Sequence, residues 1–154
     1  MQNFLALYEA SRQASVGLHL NKGLAGASQR VREETRELSV NPVAIDAFAL
    51  AIVATAQEKR HPGLKDYEPD LAAARKDAAR VKNAMGILRD LAPNGGAYCS
   101  EASFFNTDWR SASWGPNYDR LLATKQSVDP TGLFFGHHWV GSEFWSQDGF
   151  SPIQ

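Results

Sequence analysis

The stretch SVGLHLNKGLAG, residues 15–26, decides the fold class, because its apolar positions recur with a period of two. Val16, Leu18 and Leu20 alternate with Gly17, His19 and Asn21, and successive side chains of a strand point to opposite faces. The segment is therefore expected to form a half-buried strand. Its aliphatic face suits packing under helices. Its other face carries His19 and Asn21, polar groups that need partners wherever they are covered.

Working outward, QNFLALYEASRQ places Phe4, Leu5 and Tyr8 near helical spacing. Ser28 before a Glu-rich run to Leu38 reads as a capped surface helix, and Asn41-Pro42 as a second helix start. AFALAIVA (47–54) is apolar, short and fits a buried strand. The polar run 55–68, with its His-Pro-Gly turn, is a long loop of the kind that serves as a lid. Asp70 opens the clearest helix, with Leu71, Ala74, Ala78, Val81, Met85 and Leu88 on one stripe, and Pro93-Asn94-Gly95-Gly96 ends it. AYCSEASF (97–104) reads as a third strand, with Tyr98 and Ser100 on one face and Cys99 and Glu101 on the other. A short helix from Asp108 to Gly115-Pro116, a longer one through NYDRLLATKQSV, and an aromatic tail folding back complete the chain. The expectation is one domain over residues 1–154, of α+β class, with helices packed on one face of the sheet.

Composition excludes several classes. Apolar residues make up 44% and charged residues 21%, ordinary globular values, and the formal net charge is -1. No basic face for a nucleic acid is expected. The single cysteine allows no intrachain disulfide. No apolar run approaches the roughly 20 residues of a membrane span, and no signal peptide follows Met1. A cytoplasmic protein with neither nucleic-acid nor membrane partner is expected.

Residues 94–147 carry a dense motif: Gly95, Gly96, Tyr98, Glu101, Trp109, Trp114, Gly115, Asn117, Tyr118, Arg120, Leu121, Lys125, Asp129, Pro130 and Phe134. At these spacings the segment resembles the C-terminal signature of the berberine-bridge-type FAD-linked oxidases. LHLNKGLAGA and NPVAIDAFALAIVA resemble strands and helices of that family's substrate domain, which implies an antiparallel sheet. Where the family pattern has Asn two residues after the strand tyrosine, this chain has Ser100. The resemblance does not extend to the family's flavin-binding domain, and residues 1–94 hold no glycine-rich phosphate loop. The expectation is that the chain uses no cofactor of its own.

The expected site lies on the open face of the sheet. His19, Asn21 and Tyr98 are the candidate catalytic groups. Ser100, Trp114, Tyr118, Phe135, His138 and Trp139 are the candidate substrate-binding residues. Adjacent residues His137 and His138 point apart on an extended chain, so no metal is expected. Glu101 is expected to cap the helix near Asp108.

These residues suit a hydrophobic small-molecule substrate, with polar groups holding a carbonyl and aromatic walls holding a folded body. The first functional expectation is a cofactor-independent enzyme of secondary-metabolite biosynthesis, derived from a truncated FAD-linked oxidase. Its reaction would be a non-redox cyclisation such as a Diels–Alder step, or an isomerisation. The alternatives are the C-terminal substrate-binding part of a split or truncated FAD-dependent oxidoreductase, and a non-catalytic ligand-binding protein. A homodimer is expected, since an apolar face without its flavin domain needs cover.

Overall fold

The computed structural model describes residues 2–21 and 23–153, and their contacts gather in two compact units, Met1–Asn21 with Phe48–Asn94 and Lys22–Ala47 with Gly95–Gln154. The class is α+β.

The first unit is a hairpin-like sheet under two helices. Strand β1 (Ser15–Leu20) pairs antiparallel with β2 (Ala49–Ala54), in a register that sets Val16 opposite Val53, Leu18 opposite Ala51 and His19 opposite Leu50. Directly opposed residues share a face, so the aliphatic set Val16, Ala51 and Val53 lies together. Helices α1 (Gln2–Gln13) and α4 (Leu71–Leu91) pack there, around buried Ala10, Ala14, Ala84 and Leu88. Small residues at this seam let two helix backbones come close. Asp70 caps α4 by accepting from Ala72 and Ala73 N–H at 3.0 and 2.9 Å. Arg80 Nε donates to Gln13 O at 2.7 Å, satisfying a carbonyl at the end of α1. The aliphatic face is covered only at one end, and Leu20 is 79% exposed. The loop after β2 closes on itself, with His61 N–H donating to Tyr67 O and Gly63 N–H to Glu68 Oε1, each at 2.7 Å.

The second unit is mostly irregular backbone. Helix α2 (Gln29–Arg36) is capped by Ser28, which accepts from Val31 N–H, and Asn41 Oδ1 accepts from Val43 N–H to open the single turn α3 (Val43–Asp46). Helix α5 (Trp109–Trp114) runs through a 3₁₀ turn into α6 (Tyr118–Val128). Among the described residues no helix is long and apolar enough to cross a membrane.

Two expectations are corrected. Residues 97–104 form no strand: Tyr98 to Glu101 make a turn, with Glu101 N–H donating to Tyr98 O at 3.0 Å. The physical reason is the lack of a strand partner. Ala97 N–H donates instead to Ala112 O, in α5. Glu101 does not cap α5, whose first turn has no side-chain cap.

Candidate functional site

Polar side chains build the second unit by tying backbone segments distant in sequence. Asn117, 7% exposed, donates its Nδ2 to three carbonyls, those of Arg36, Leu38 and Val40, at 2.8, 3.0 and 3.0 Å. Asn41 Nδ2 donates to Ser111 O and Ala112 O at 3.0 and 2.9 Å. Two glycines make room for Asn41. A Cβ on Gly96 would meet its Nδ2 at 3.1 Å, and one on Gly115, at φ +54, would meet its Oδ1 at 2.8 Å. These contacts fix the 36–41 segment beside the end of α5 and the start of α6.

The result is a cleft of about 390 Å³ lined by Ser39, Val40, Ala97, Tyr98, Cys99, Ser100, Ser113, Trp114, Leu121 and Val140. Because 98–101 is a turn rather than a strand, Tyr98, Cys99 and Ser100 all reach the same cleft instead of alternating. Among the described residues no charged side chain lines it. Ser113 and Trp114 line it, but Ser113 Oγ and Trp114 Nε1 are themselves closed off from it and have no hydrogen-bond partner among the described residues.

Of the expected site residues, Tyr98, Ser100 and Trp114 come together here. Tyr118 does not line the cleft. It is buried, its hydroxyl donates to Glu143 Oε1, and Gly141 N–H donates to it at 3.3 Å. Burial first, and then the bond to Glu143, push the Tyr118 hydroxyl pKa well above its ordinary value, so it stays protonated. His138 is stacked on Trp109, ring centroids 5.2 Å apart, with His137 at 3.7 Å on it. Burial, followed by the neighbouring His137, lowers the His138 pKa and favours the neutral ring.

Phe135 and Trp139 line a separate crevice of about 10 Å³, barely the volume of one water. They cover glycines: a Cβ on Gly149 or Gly136 would fall 2.3 or 2.4 Å from the Phe135 or Trp139 ring. His19 lies on the β1 face away from the helices, and Asn21 N–H donates to Phe48 O at 2.7 Å. Both belong to the first unit, whereas Tyr98 and Ser100 belong to the second.

Sequence reasoning missed Ser39, Val40, Ala97, Cys99, Ser113, Leu121 and Val140 as lining, and Asn41 and Asn117 as the residues that position it. Asn117 stood in the motif as a signal without a role.

The chemistry of this cleft suits a neutral, largely apolar molecule. It does not fit a whole FAD: a pyrophosphate needs cationic side chains or converging N–H groups, and among the described residues the lining offers no cation. No redox step is derived from these residues.

Comparison with known proteins agrees with the motif. Residues 88–138 match the family described as berberine and berberine-like. The chain is 50% identical over 77 residues to the FAD-linked oxidoreductase ffsJ of Aspergillus flavipes, covering 50% of this chain and 12% of that protein. It is 37% identical over 95 residues to the FAD-linked oxidoreductase notD of Aspergillus sp. (strain MF297-2), covering 60% and 15%. A VAO-type flavoprotein oxidase of Thermothelomyces thermophilus, VAO615, is 34% identical over 83 residues, covering 54% and 14%. The matched segments thus span between 12% and 15% of these relatives' lengths. No solved structure matches the chain. Over residues 88–138 the chain is thus similar to the family described as berberine and berberine-like, and the relatives it resembles carry the name FAD-linked oxidoreductase.

Proposed function

We propose that this chain is the substrate-side segment of an FAD-linked oxidoreductase, whose cleft receives the neutral hydrophobic body of a small molecule while residues outside the cleft hold the flavin. One observation carries this reading: seven of the ten lining residues fall within the matched segment 88–138. The segment that marks the family is also the one that builds the cleft. Tyr98 and Ser100 would supply hydroxyl groups, and Trp114, Val40, Leu121 and Val140 an apolar wall. The contribution to rate is positioning, which orients a bound molecule before it reacts.

The test is a graft. The matched segment of ffsJ is replaced by the corresponding residues of this chain, and flavin content and oxygen uptake are measured. Retained flavin with substrate-dependent oxygen uptake is the expected result. A soluble, flavin-loaded graft without turnover would overturn the reading.

A second reading has its own support in the mostly apolar lining with the Tyr98 and Ser100 hydroxyls in it. It is a flavin-free cyclisation, such as a Diels–Alder step, or an isomerisation of a secondary-metabolite-like substrate. Such steps require restriction and one or two hydrogen bonds. Conversion by the purified, colourless chain without oxygen uptake would select it over the first.

Self-association is proposed for the purified chain, with a homodimer as the simplest closed form. Its support is the apolar surface, including Phe105 at 84%, Phe150 at 87% and Leu133 at 78% exposed. A monomer by light scattering at high micromolar concentration would exclude it.

A further inference from the structure

We propose that the outer edge of strand β1 (Ser15–Leu20) pairs with the same edge of a second copy of this chain, antiparallel about a twofold axis at Leu18, to form a four-stranded sheet. This rests on the self-association proposed above and gives it a seam. Asn21 N–H donates to Phe48 O, on the β2 side. The N–H and C=O groups of successive strand residues alternate sides. Ser15, Gly17 and His19 therefore turn theirs toward β2, and Val16, Leu18 and Leu20 turn theirs outward. The sheet has two strands, so among the described residues no third strand takes up these outward groups. Natural edges are blunted by lysine, proline or a bulge. SVGLHL pairs with β2 without a break and contains none of these.

A second copy suits this edge because the strand is complementary to itself. Turned about Leu18, it sets Val16 against the partner's Leu20, Leu18 against its own counterpart, and Gly17 against the partner's His19. This register pairs all three outward residues and forms about six backbone hydrogen bonds. The strand carries no Lys, Arg, Asp or Glu, so identical edges meet without like charges opposed. Leu20 and Leu18, 79% and 43% exposed, gain aliphatic neighbours on the face that carries Val16. Gly17 leaves room for the incoming His19 ring, since a Cβ there would meet only Ile52 O, at 3.9 Å. The outer edge of β2 would instead oppose Ala51 to itself and Ala49 to Val53. Larger apolar cross-strand pairs are more stabilising than alanine pairs.

Hydrogen exchange on the intact wild-type chain, read amide by amide at low and at high micromolar concentration, tests the seam alongside light scattering. A dimer is expected in which the Val16, Leu18 and Leu20 amides exchange about tenfold more slowly at the higher concentration. Gly17 and His19, already turned to β2, should change less. Leu18→Lys opposes two ammonium groups across the axis and should give a monomer, as should Leu18→Glu, while an equimolar mixture restores the dimer because opposite charges then meet. A Leu18→Lys dimer as tight as wild type overturns the seam. So does a wild-type dimer whose outward β1 amides keep their dilute rates, or which gains protection at Ala49, Ala51 and Val53 instead; both outcomes leave self-association standing. A monomer at high micromolar concentration overturns both readings and leaves the edge to a strand of another protein. The wild-type exchange rates decide even where a variant fails to fold.

Discussion

In the first unit the core cluster is apolar and small: Ala10, Ala14, Ala84 and Leu88 beneath two helices and a strand pair. In the second, the buried residues include Asn106, Ser113, Asn117 and Asp129, with Tyr118 as the large ring. The contrast follows from the backbone. Helices and paired strands satisfy their own N–H and C=O groups, leaving side chains free for apolar contact. Irregular backbone needs side-chain partners. The first unit is therefore most vulnerable to lost volume, and the second to lost hydrogen bonds.

The sharpest way to break this contrast is a pair of alanine substitutions. Asn117→Ala leaves the Arg36, Leu38 and Val40 carbonyls without their shared donor, an expected loss of about 3 kcal/mol. Leu88→Ala, in a small core able to relax, should cost about 2 kcal/mol. Denaturant midpoints measure both. A smaller loss for Asn117→Ala than for Leu88→Ala would reverse the comparison.

Next in size is Gly132→Ala. The residue has φ +66, and an added Cβ would fall 2.3 Å from the Trp145 ring. Left-handed backbone and ring displacement together should cost about 2 kcal/mol, with a changed near-ultraviolet dichroism from Trp145. An unchanged spectrum and melting temperature would show that the ring yields freely.

Acid should act on the second unit through Asp129. The Lys125 ammonium, opposed by burial and helped by the Phe134 and Leu133 N–H groups, holds its carboxyl pKa below the ordinary 3.8. A folded pKa below the unfolded one gives stability that is present above 3.8 and lost as pH falls through the folded value. Asp129→Asn should lower stability at neutral pH and flatten this acid loss. An acid titration identical in slope to wild type would remove Asp129 from the account.

The smallest effects on stability are expected for His19→Ala, Asn21→Ala and Tyr98→Phe, each within about 0.5 kcal/mol because the residues are exposed. Their effect should be on turnover, measured one at a time on the true substrate with circular dichroism as the control. Loss in any one of the three gives that side chain a part in turnover. Loss in Tyr98→Phe alone confines the site to the cleft. Wild-type rates in all three would exclude these groups from catalysis.

The sequence by itself determined what is local. Period two at Val16–Leu20, the helix from Leu71 to Leu91, and the caps Ser28 and Asp70 depend on neighbours within a few residues and form in the structure, whereas burial does not follow the whole apolar pattern, with Leu20 79% and Leu71 62% exposed. The motif around Trp114 and Tyr118 was equally legible, because residue identities at fixed spacings carry it. Tertiary structure decided the rest. Residues 97–104 have the alternation of a strand, but a strand exists only with an edge to pair with, and Ala97 bonds to α5 instead. The pairing of Asn41 with Ser111 spans 70 residues and that of Asn117 with Arg36 spans 81. No local pattern encodes which distant carbonyls an amide will reach. The cleft depends on those two amides, so its walls became visible only once the chain had closed.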